Sequence, residues 1–162
     1  MTSDDLAEIH RIHQLKYRYL RYLDLKEWDE LGGCFVAEAT ASYASAPELD
    51  GREAIIGFLR DAMSSTTLLT SHKVHHPEIT LLESERASGI WALDDRVLVL
   101  DAGIEIAGAA FYQDEYVRTS DGWLISHTGY RRVFEEVRPL PQDSRITLSW
   151  WSEGGMGDQS HK

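Results

Sequence analysis

The stretch RASGIWALDDRVLVL, residues 86–100, decides the fold class, because side chains suited to a core alternate in it with side chains suited to solvent. A period of two is typical of a strand with one buried face. That face carries an apolar stripe that ends in a carboxylate: Ala87, Gly89, Trp91, Leu93 and Asp95. The pattern predicts a long strand in a sheet that is covered on one side.

Three other segments around this stretch are equally rich in β-branched and aromatic residues, and they predict further strands. They cover residues 71–82, 104–119 and 122–137. The sequence Asp101-Ala102-Gly103 separates two of the strands, and Ser120-Asp121-Gly122 is typical of a hairpin turn. The C-terminal half of the chain is therefore predicted to be an antiparallel meander.

The N-terminal part differs, because its apolar residues recur at helical spacing. This spacing predicts helices over residues 4–24, 27–37 and 52–63, with a short strand over 40–46. Helices followed by a meander of strands indicate an α+β fold, in which the helices pack on one face of the sheet.

The length of 162 residues suits one domain with one core, which we place at residues 1–151. Three glycines lie in the following segment, 152–162, which is predicted to be a flexible tail. Trp150 and Trp151 precede this tail, where they are expected to cover an apolar opening or a subunit contact.

The formal net charge of -11 argues against a nucleic-acid partner or an anionic membrane surface, because both need a basic face. No secretory signal and no apolar run of membrane-spanning length is visible, so a cytoplasmic protein is expected. The single cysteine, Cys34, lies beside Phe35 and Val36, which favours a buried, inert thiol over a nucleophile.

Two interpretations of Asp95 follow from its strand. Either the strand continues through it, so that a carboxylate extends the buried aromatic stripe, or the strand ends at Leu93 and Asp94-Asp95 forms a solvated turn. The pattern of this segment alone leaves both open.

Three histidines in the segment 71–80 raise the question of a metal site. His72 and His76 share a face of the predicted strand, and His75 lies on the opposite face. Because a strand brings only two of them together, and no helical HxxxH pair or cysteine pair supports them, we predict no metal. His72 is the candidate for chemistry because carboxylate partners are available elsewhere.

Asp24 also has two interpretations. The sequence Asp24-Leu25-Lys26-Glu27 has the form of a capping box that opens the second helix. If Asp24 instead points into a pocket, it lies at the C-terminal end of the first helix. The helix dipole and desolvation would then both raise its pKa and suit it to hold a protonated imidazole.

Several phenols and one arginine complete the set of candidate residues. Tyr19 lies about one turn before Asp24, and Arg132 has the same strand parity as Tyr130 and Phe134. An arginine at such a position is expected to pair with a carboxylate or to face a ligand. Because a glycine-rich phosphate loop, a dinucleotide fingerprint and a serine nucleophile elbow are all missing, cofactor-independent proton transfer is the predicted chemistry.

At two places the first helices resemble the SnoaL-like branch of the nuclear transport factor 2-like superfamily. These are Leu15-Lys16-Tyr17-Arg18-Tyr19 and the run from Asp24 to Leu31. The resemblance implies a cone-shaped barrel, with N-terminal helices packed on a curved, mostly antiparallel sheet. An Asp–His pair serves cofactor-free elimination in scytalone dehydratase and hexachlorocyclohexane dehydrochlorinase, two enzymes of this superfamily.

Over nearly its whole length, the chain resembles the bacterial bile-acid 7α-dehydratases. The matching runs are residues 76–80, 89–96, 108–114 and 128–136, and residues 145–148 look like the C-terminal strand of that family. The main departure is at Asp101-Ala102-Gly103, where this chain looks shorter and a loop tyrosine has no counterpart.

This resemblance implies a set of site residues. The active-site tyrosine falls on Tyr19, the helix-end aspartate on Asp24, the histidine on His72 and the strand aspartate on Asp95, which form the expected catalytic set. A second tyrosine of the family falls on Tyr43 and its late arginine on Arg132. Together with Trp91 and Tyr112, which lie in the matching runs, they are the expected substrate-binding residues.

The resemblance implies a hydro-lyase without cofactor or metal that removes water from a hydroxysteroid, with a 7α-hydroxy-3-oxo-4-ene bile-acid intermediate as the expected substrate. Its partner is then a small apolar polycyclic molecule, and a homotrimer is expected. The alternatives are an isomerase or cyclase on a polycyclic substrate, and a ligand-binding module of the same fold without catalysis.

Overall fold

The computed structural model describes residues 2–43, 46–83 and 85–152. Three α-helices occur in them: α1 over Ser3–Leu25, α2 over Trp28–Gly32 and α3 over Arg52–Met63. Thr2 caps α1, since its hydroxyl accepts a hydrogen bond from the Asp5 amide while the Asp5 carboxylate accepts one from the Thr2 amide. The predicted first and third helices are confirmed to within a residue or so.

Six strands in the described part of the chain form one sheet. They are β1 over Phe35–Tyr43, β2 over Leu49–Asp50, β3 over Leu68–Leu82, β4 over Arg86–Val99, β5 over Ile104–Thr119 and β6 over Gly122–Pro139. The strand order is β2-β1-β6-β5-β4-β3, and only the β1–β6 pair is parallel. The predicted α+β fold, with helices on a curved and mostly antiparallel sheet, is confirmed.

Two predictions about regular structure are wrong. The second helix was expected over 27–37, but α2 ends at Gly32 and β1 begins at Phe35. Two successive glycines weaken the helix there, and Phe35 instead pairs with Ile125 of β6. The expected C-terminal strand over 145–148 is irregular chain. The short strand predicted over 40–46 begins five residues earlier, at Phe35; β1 includes Tyr43, and residues 44 and 45 lie outside the described part of the chain.

The core lies between the helices and the concave face of the sheet. The α1 stripe that contacts it has helical spacing and consists of Ile12, Leu15, Lys16, Tyr19, Leu20 and Leu23. Cys34 is buried as expected, and burial raises the pKa of its thiol to about 11. No helix in residues 2–43, 46–83 and 85–152 is long and apolar enough to cross a membrane.

The C-terminal tryptophans differ in their surroundings. The ring of Trp151 lies 4.7 Å from the ammonium of Lys26, which in turn donates hydrogen bonds to the carbonyls of Met63 and Leu68. Trp150 remains 36% exposed. Of the tail predicted over 152–162, residues 153–162 lie outside the described part of the chain.

Candidate active site

A cavity of about 280 Å³ opens between α1, α3 and the concave face of the sheet. Its volume is close to the lower end of the range of small-molecule pockets. The wall is mostly apolar and combines aliphatic residues with four phenols and one imidazole: Tyr19, Leu23, Tyr43, Ala46, Phe58, Leu59, Ala62, Met63, His72, Tyr112 and Tyr130. Four of the predicted site residues, Tyr19, Tyr43, His72 and Tyr112, therefore line one cavity.

His72 is fixed in the cavity wall by Asp24. The Nδ1 atom of the imidazole lies 2.6 Å from Oδ1 of Asp24, and the backbone amide of His72 donates to Oδ2 at 2.9 Å. The hydroxyl of Thr70 donates to Oδ1 at 2.8 Å. Because an ionised carboxylate only accepts hydrogen bonds, Nδ1 carries a proton, and the lone pair of the neutral ring lies on Nε2. This arrangement leaves Nε2 as the basic atom of the ring.

The expectations about Asp24 are corrected in two respects. Asp24 belongs to the last turn of α1, and the N-cap of α2 is Glu27, so no capping box forms at Asp24. Burial raises the pKa of Asp24, as expected, but the hydrogen bonds and charge of His72 and the hydroxyl of Thr70 outweigh it. The net result is a lowered pKa, which keeps Asp24 ionised beside the imidazole.

The four phenols of the wall form a connected group. The hydroxyls of Tyr19 and Tyr43 are 3.1 Å apart, and the rings of Tyr112 and Tyr130 meet edge to face with centroids 5.6 Å apart. Burial is the largest cause that raises the pKa of all four phenols. They therefore remain protonated at neutral pH and can donate hydrogen bonds to an oxygen in the cavity.

Asp95 lies on the strand next to the histidine, because it is the direct register partner of His72 across β3 and β4. The strand continues through it and Asp95 is buried, so the interpretation as a solvated turn is wrong. Two nitrogens of the Arg132 guanidinium reach its carboxylate at 2.5 and 2.8 Å. Neither Asp95 nor Arg132 lines the cavity. The guanidinium carbon of Arg132 lies 5.1 Å from the centroid of the Tyr130 ring, and Tyr130 does line the cavity.

Trp91 is fully buried, but it does not line the cavity. Its indole nitrogen donates to the hydroxyl of Tyr116 at 2.9 Å, and the edges of the His13 and Tyr17 rings cover it. The expected contact between Trp91 and a substrate is therefore not supported by its position, because its polar atom is satisfied inside the core.

Among the residues that the structure describes, no three His, Cys, Asp or Glu side chains are arranged to hold a metal ion. His75 is exposed and pairs with Asp94 at 3.4 Å, while His76 lies next to an irregularity in β3 and has a positive φ of 32°. The rings of His75 and His76 stack with centroids 6.2 Å apart, whereas the ring of His72 pairs with Asp24.

Tyr130 lines the cavity but is not in the predicted set of site residues. Its parity with Arg132 was the available signal. The α3 residues Phe58, Leu59 and Ala62 also line the cavity, and their helical spacing places them on one face of α3.

Residues 4–129, which are most of the chain, match the family model of the SnoaL-like domain. The chain belongs to the SnoaL-like family. An uncharacterized protein of Mycobacterium tuberculosis strain H37Rv is 20% identical to this SnoaL-like chain over 137 residues, which cover 85% of it and 93% of the relative.

Solved structures share the SnoaL-like fold at low sequence identity. A candidate scytalone dehydratase from Novosphingobium aromaticivorans has a TM-score of 0.77 at 21% identity, covering 90% of this chain and 99% of that one. The hexachlorocyclohexane dehydrochlorinase LinA-type3 from Novosphingobium barchaimii has a TM-score of 0.77 at 18% identity, with 90% and 98% covered. The ActVI-ORFA protein of Streptomyces coelicolor reaches 0.67 at 14% identity, with 77% and 96% covered.

Proposed function

We propose that this SnoaL-like protein is a cofactor-independent dehydratase, a carbon–oxygen lyase that removes water from a hydroxysteroid. The observation that carries the proposal is an imidazole in the wall of an apolar cavity, held through Nδ1 by an ionised carboxylate and accompanied by four protonated phenols. A base and several hydrogen-bond donors around an apolar space are what a metal-free elimination needs.

In the proposed mechanism, Nε2 of His72 takes a proton from carbon. The electron pair of that C–H bond becomes part of the new double bond, and the C–O bond breaks. The proton then passes from the imidazolium to the departing hydroxide, which leaves as water. Asp24 stabilises the imidazolium, with which it is already paired.

The phenols act at the other end of the substrate. Tyr19, Tyr43 or Tyr112 donates a hydrogen bond to the oxygen on which charge develops, either a carbonyl or the leaving hydroxyl. If the substrate is a 7α-hydroxy-3-oxo-4-ene steroid, the conjugated enone acidifies the C–H bond, so that a single neutral base suffices. The Asp95–Arg132 pair supports the wall beside His72 and behind Tyr130.

The experiment is incubation with a 7α-hydroxy-3-oxo-4-ene steroid while the absorbance of the extended dienone is followed. We expect growth of that absorbance with wild type and its loss in His72→Ala. The matched control is His75→Ala, an exposed histidine on the same strand, which we expect to retain activity. Full activity of His72→Ala would contradict the mechanism. If the protein dehydrated a different hydroxylated ring compound but no steroid, the proposed substrate would be contradicted and the proposed reaction class would stand.

An isomerase or cyclase of the same fold is the alternative, because moving a proton between carbons needs the same base and donors. Mass spectrometry of the product separates the two, since only dehydration removes the mass of water. A ligand-binding module without catalysis would bind the steroid and return it unchanged.

We also propose that the chain forms a homotrimer, as the resemblance to bile-acid dehydratases implies, and that the outer face of its sheet makes the contact. Phe111 on β5 and Phe134 on β6 lie on this face and are 45% and 58% exposed, and a subunit contact would cover this apolar surface. We expect wild type to sediment as a trimer and Phe134→Glu to dissociate. A wild-type monomer at micromolar concentration would contradict this proposal.

A further inference from the structure

One layer behind the cavity lies a buried ion pair that the proposed mechanism does not use. The ammonium of Lys16 is 2.7 Å from Oδ2 of Asp114, and both side chains are fully inaccessible to solvent. Lys16 comes from the buried stripe of α1, and Asp114 comes from the concave face of β5. Neither residue lines the cavity.

The carboxylate of Asp114 is held by further donors. The hydroxyl of Thr128 donates to Oδ1 at 2.7 Å, and the hydroxyl of Tyr116 donates to Oδ2 at 2.7 Å. Tyr116 in turn accepts the indole N–H of Trp91. Both oxygens of the Asp114 carboxylate are therefore held by donors within the core.

The ammonium of Lys16 instead faces the aromatic wall. It lies 3.4 Å from the centroid of the Tyr112 ring and 4.8 Å from that of the Tyr19 ring. Both rings line the cavity. A cation on the face of a phenol ring withdraws electron density from it, which makes the hydroxyl a stronger hydrogen-bond donor.

The two members of the pair act on the cavity in opposite directions. The charge of Asp114 adds to the burial that raises the pKa of the Tyr19, Tyr43 and Tyr112 phenols, so it disfavours negative charge among them. The charge of Lys16, whose ammonium lies over the Tyr112 and Tyr19 rings, favours negative charge among the phenols. A buried ion pair of this kind is weak evidence for a role in stability, because desolvation of both charges offsets their attraction.

We propose that Lys16 and Asp114 are positioning residues that act through the rings of Tyr112 and Tyr19 and set how strongly the cavity binds an anionic oxygen. The ligand class is an enolate or phenolate oxygen on an otherwise apolar ring compound. The inference rests on the proposed function, since such an oxygen develops during elimination, but it concerns binding and can be tested without turnover.

The test uses 4-nitrophenol, which titrates near neutral pH and whose anion absorbs visible light. Absorbance titration of the protein with this probe at several pH values gives the affinities of the phenol and the phenolate separately. We expect Lys16→Met to lower the preference for phenolate over phenol by a factor on the order of ten, the size of a desolvated cation–π contact. We expect Asp114→Asn to raise the same preference.

The opposite signs distinguish this role from a structural one, because damage to the cavity would weaken both forms of the probe in both variants. Lys16→Met combined with Asp114→Leu removes both charges and keeps the volume filled, and we expect its preference to lie between those of the single variants. Arg96→Met, in an ion cluster at the far end of β4, is the control that should leave the preference unchanged.

A shift in the same direction in Lys16→Met and Asp114→Asn, or no shift in either, would overturn the inference. So would a wild-type protein that binds neither form of the probe. If either single variant does not fold, comparison of the doubly substituted protein with the remaining single variant still reports the sign of the missing charge. If the preference for phenolate shifted with the expected signs in a protein that has no dehydratase activity, this inference would stand and the proposed function would be contradicted.

Discussion

Asp24 accepts three hydrogen bonds, and two of their donors belong to His72. The carboxylate therefore sets both the position of the imidazole and the nitrogen that carries its proton. A neutral amide of the same shape cannot do this, because its NH₂ group would face one of the N–H donors. The residue scale is thus where the proposed chemistry is most sensitive to substitution.

We predict that Asp24→Asn lowers kcat/KM for water elimination by a factor on the order of 10²–10⁴, the usual size of a general acid–base contribution. The physical reason is the lost stabilisation of the imidazolium and a shift of the neutral ring to the other tautomer. The tautomer can be followed by the nitrogen shifts of the His72 ring in NMR. Asp94→Asn, next to the site in sequence but exposed, is the control that should behave like wild type. Wild-type kinetics in Asp24→Asn would refute the role of this carboxylate.

At the scale of elements, the Asp95–Arg132 pair spans three strands. Asp95 lies on β4, its register partner Gly108 on β5, and Arg132 on β6. A Cβ atom at Gly108 would lie 2.6 Å from the carbonyl oxygen of Phe134 and 3.2 Å from Nη1 of Arg132. The missing side chain of Gly108 is what lets β6 approach and the guanidinium reach across β5.

We predict that Gly108→Ala destabilises the protein by about 1–3 kcal/mol, as overpacking does, and displaces Arg132 from Asp95. Urea unfolding measures the first effect. Gly57→Ala is the matched control: it lies inside α3 with nothing within 4 Å of the added Cβ, so we expect stabilisation by about 0.5–1 kcal/mol. Equal effects of the two substitutions would show that the close approach at Gly108 is unimportant.

At the scale of the whole molecule, stability in acid depends on carboxylates that are held ionised in the folded state. Arg96 and Arg138 donate hydrogen bonds to Glu105 and lower its pKa to about 2. The pKa of Asp24 is lowered as well. Each group contributes stability that is present above its unfolded-state pKa and is lost as the pH falls through its folded-state pKa.

We predict that the free energy of unfolding decreases as the pH falls from about 5 toward 2, the window between the unfolded- and folded-state pKa of Glu105. Glu105→Gln should flatten this decrease, while Glu38→Gln, an exposed carboxylate, should leave its slope unchanged. Urea unfolding at a series of pH values gives the slope. An unaltered slope in Glu105→Gln would contradict the contribution of this ion cluster.

The local patterns of the chain determined α1, α3 and the four long strands, because the period of apolar side chains reflects backbone geometry within one segment. The resemblance to known dehydratases gave Tyr19 and Tyr43 a role in the site, and both line the cavity beside His72, together with Tyr112. The alternation along β4 allowed Asp95 either on the buried stripe or in a solvated turn. The structure shows the first, because the strand continues through Asp95 and buries it.

Tertiary structure alone decided which groups meet. It ended α2 at Gly32, because β1 pairs with β6 some 90 residues later. In the folded chain the indole of Trp91 donates to Tyr116, and Lys16 forms an ion pair with Asp114. The contact with His72 lowers the pKa of Asp24. Such pairs form between side chains of distant segments that are buried in the same space. The apolar periodicity of one segment does not show which side chain of another segment it will meet.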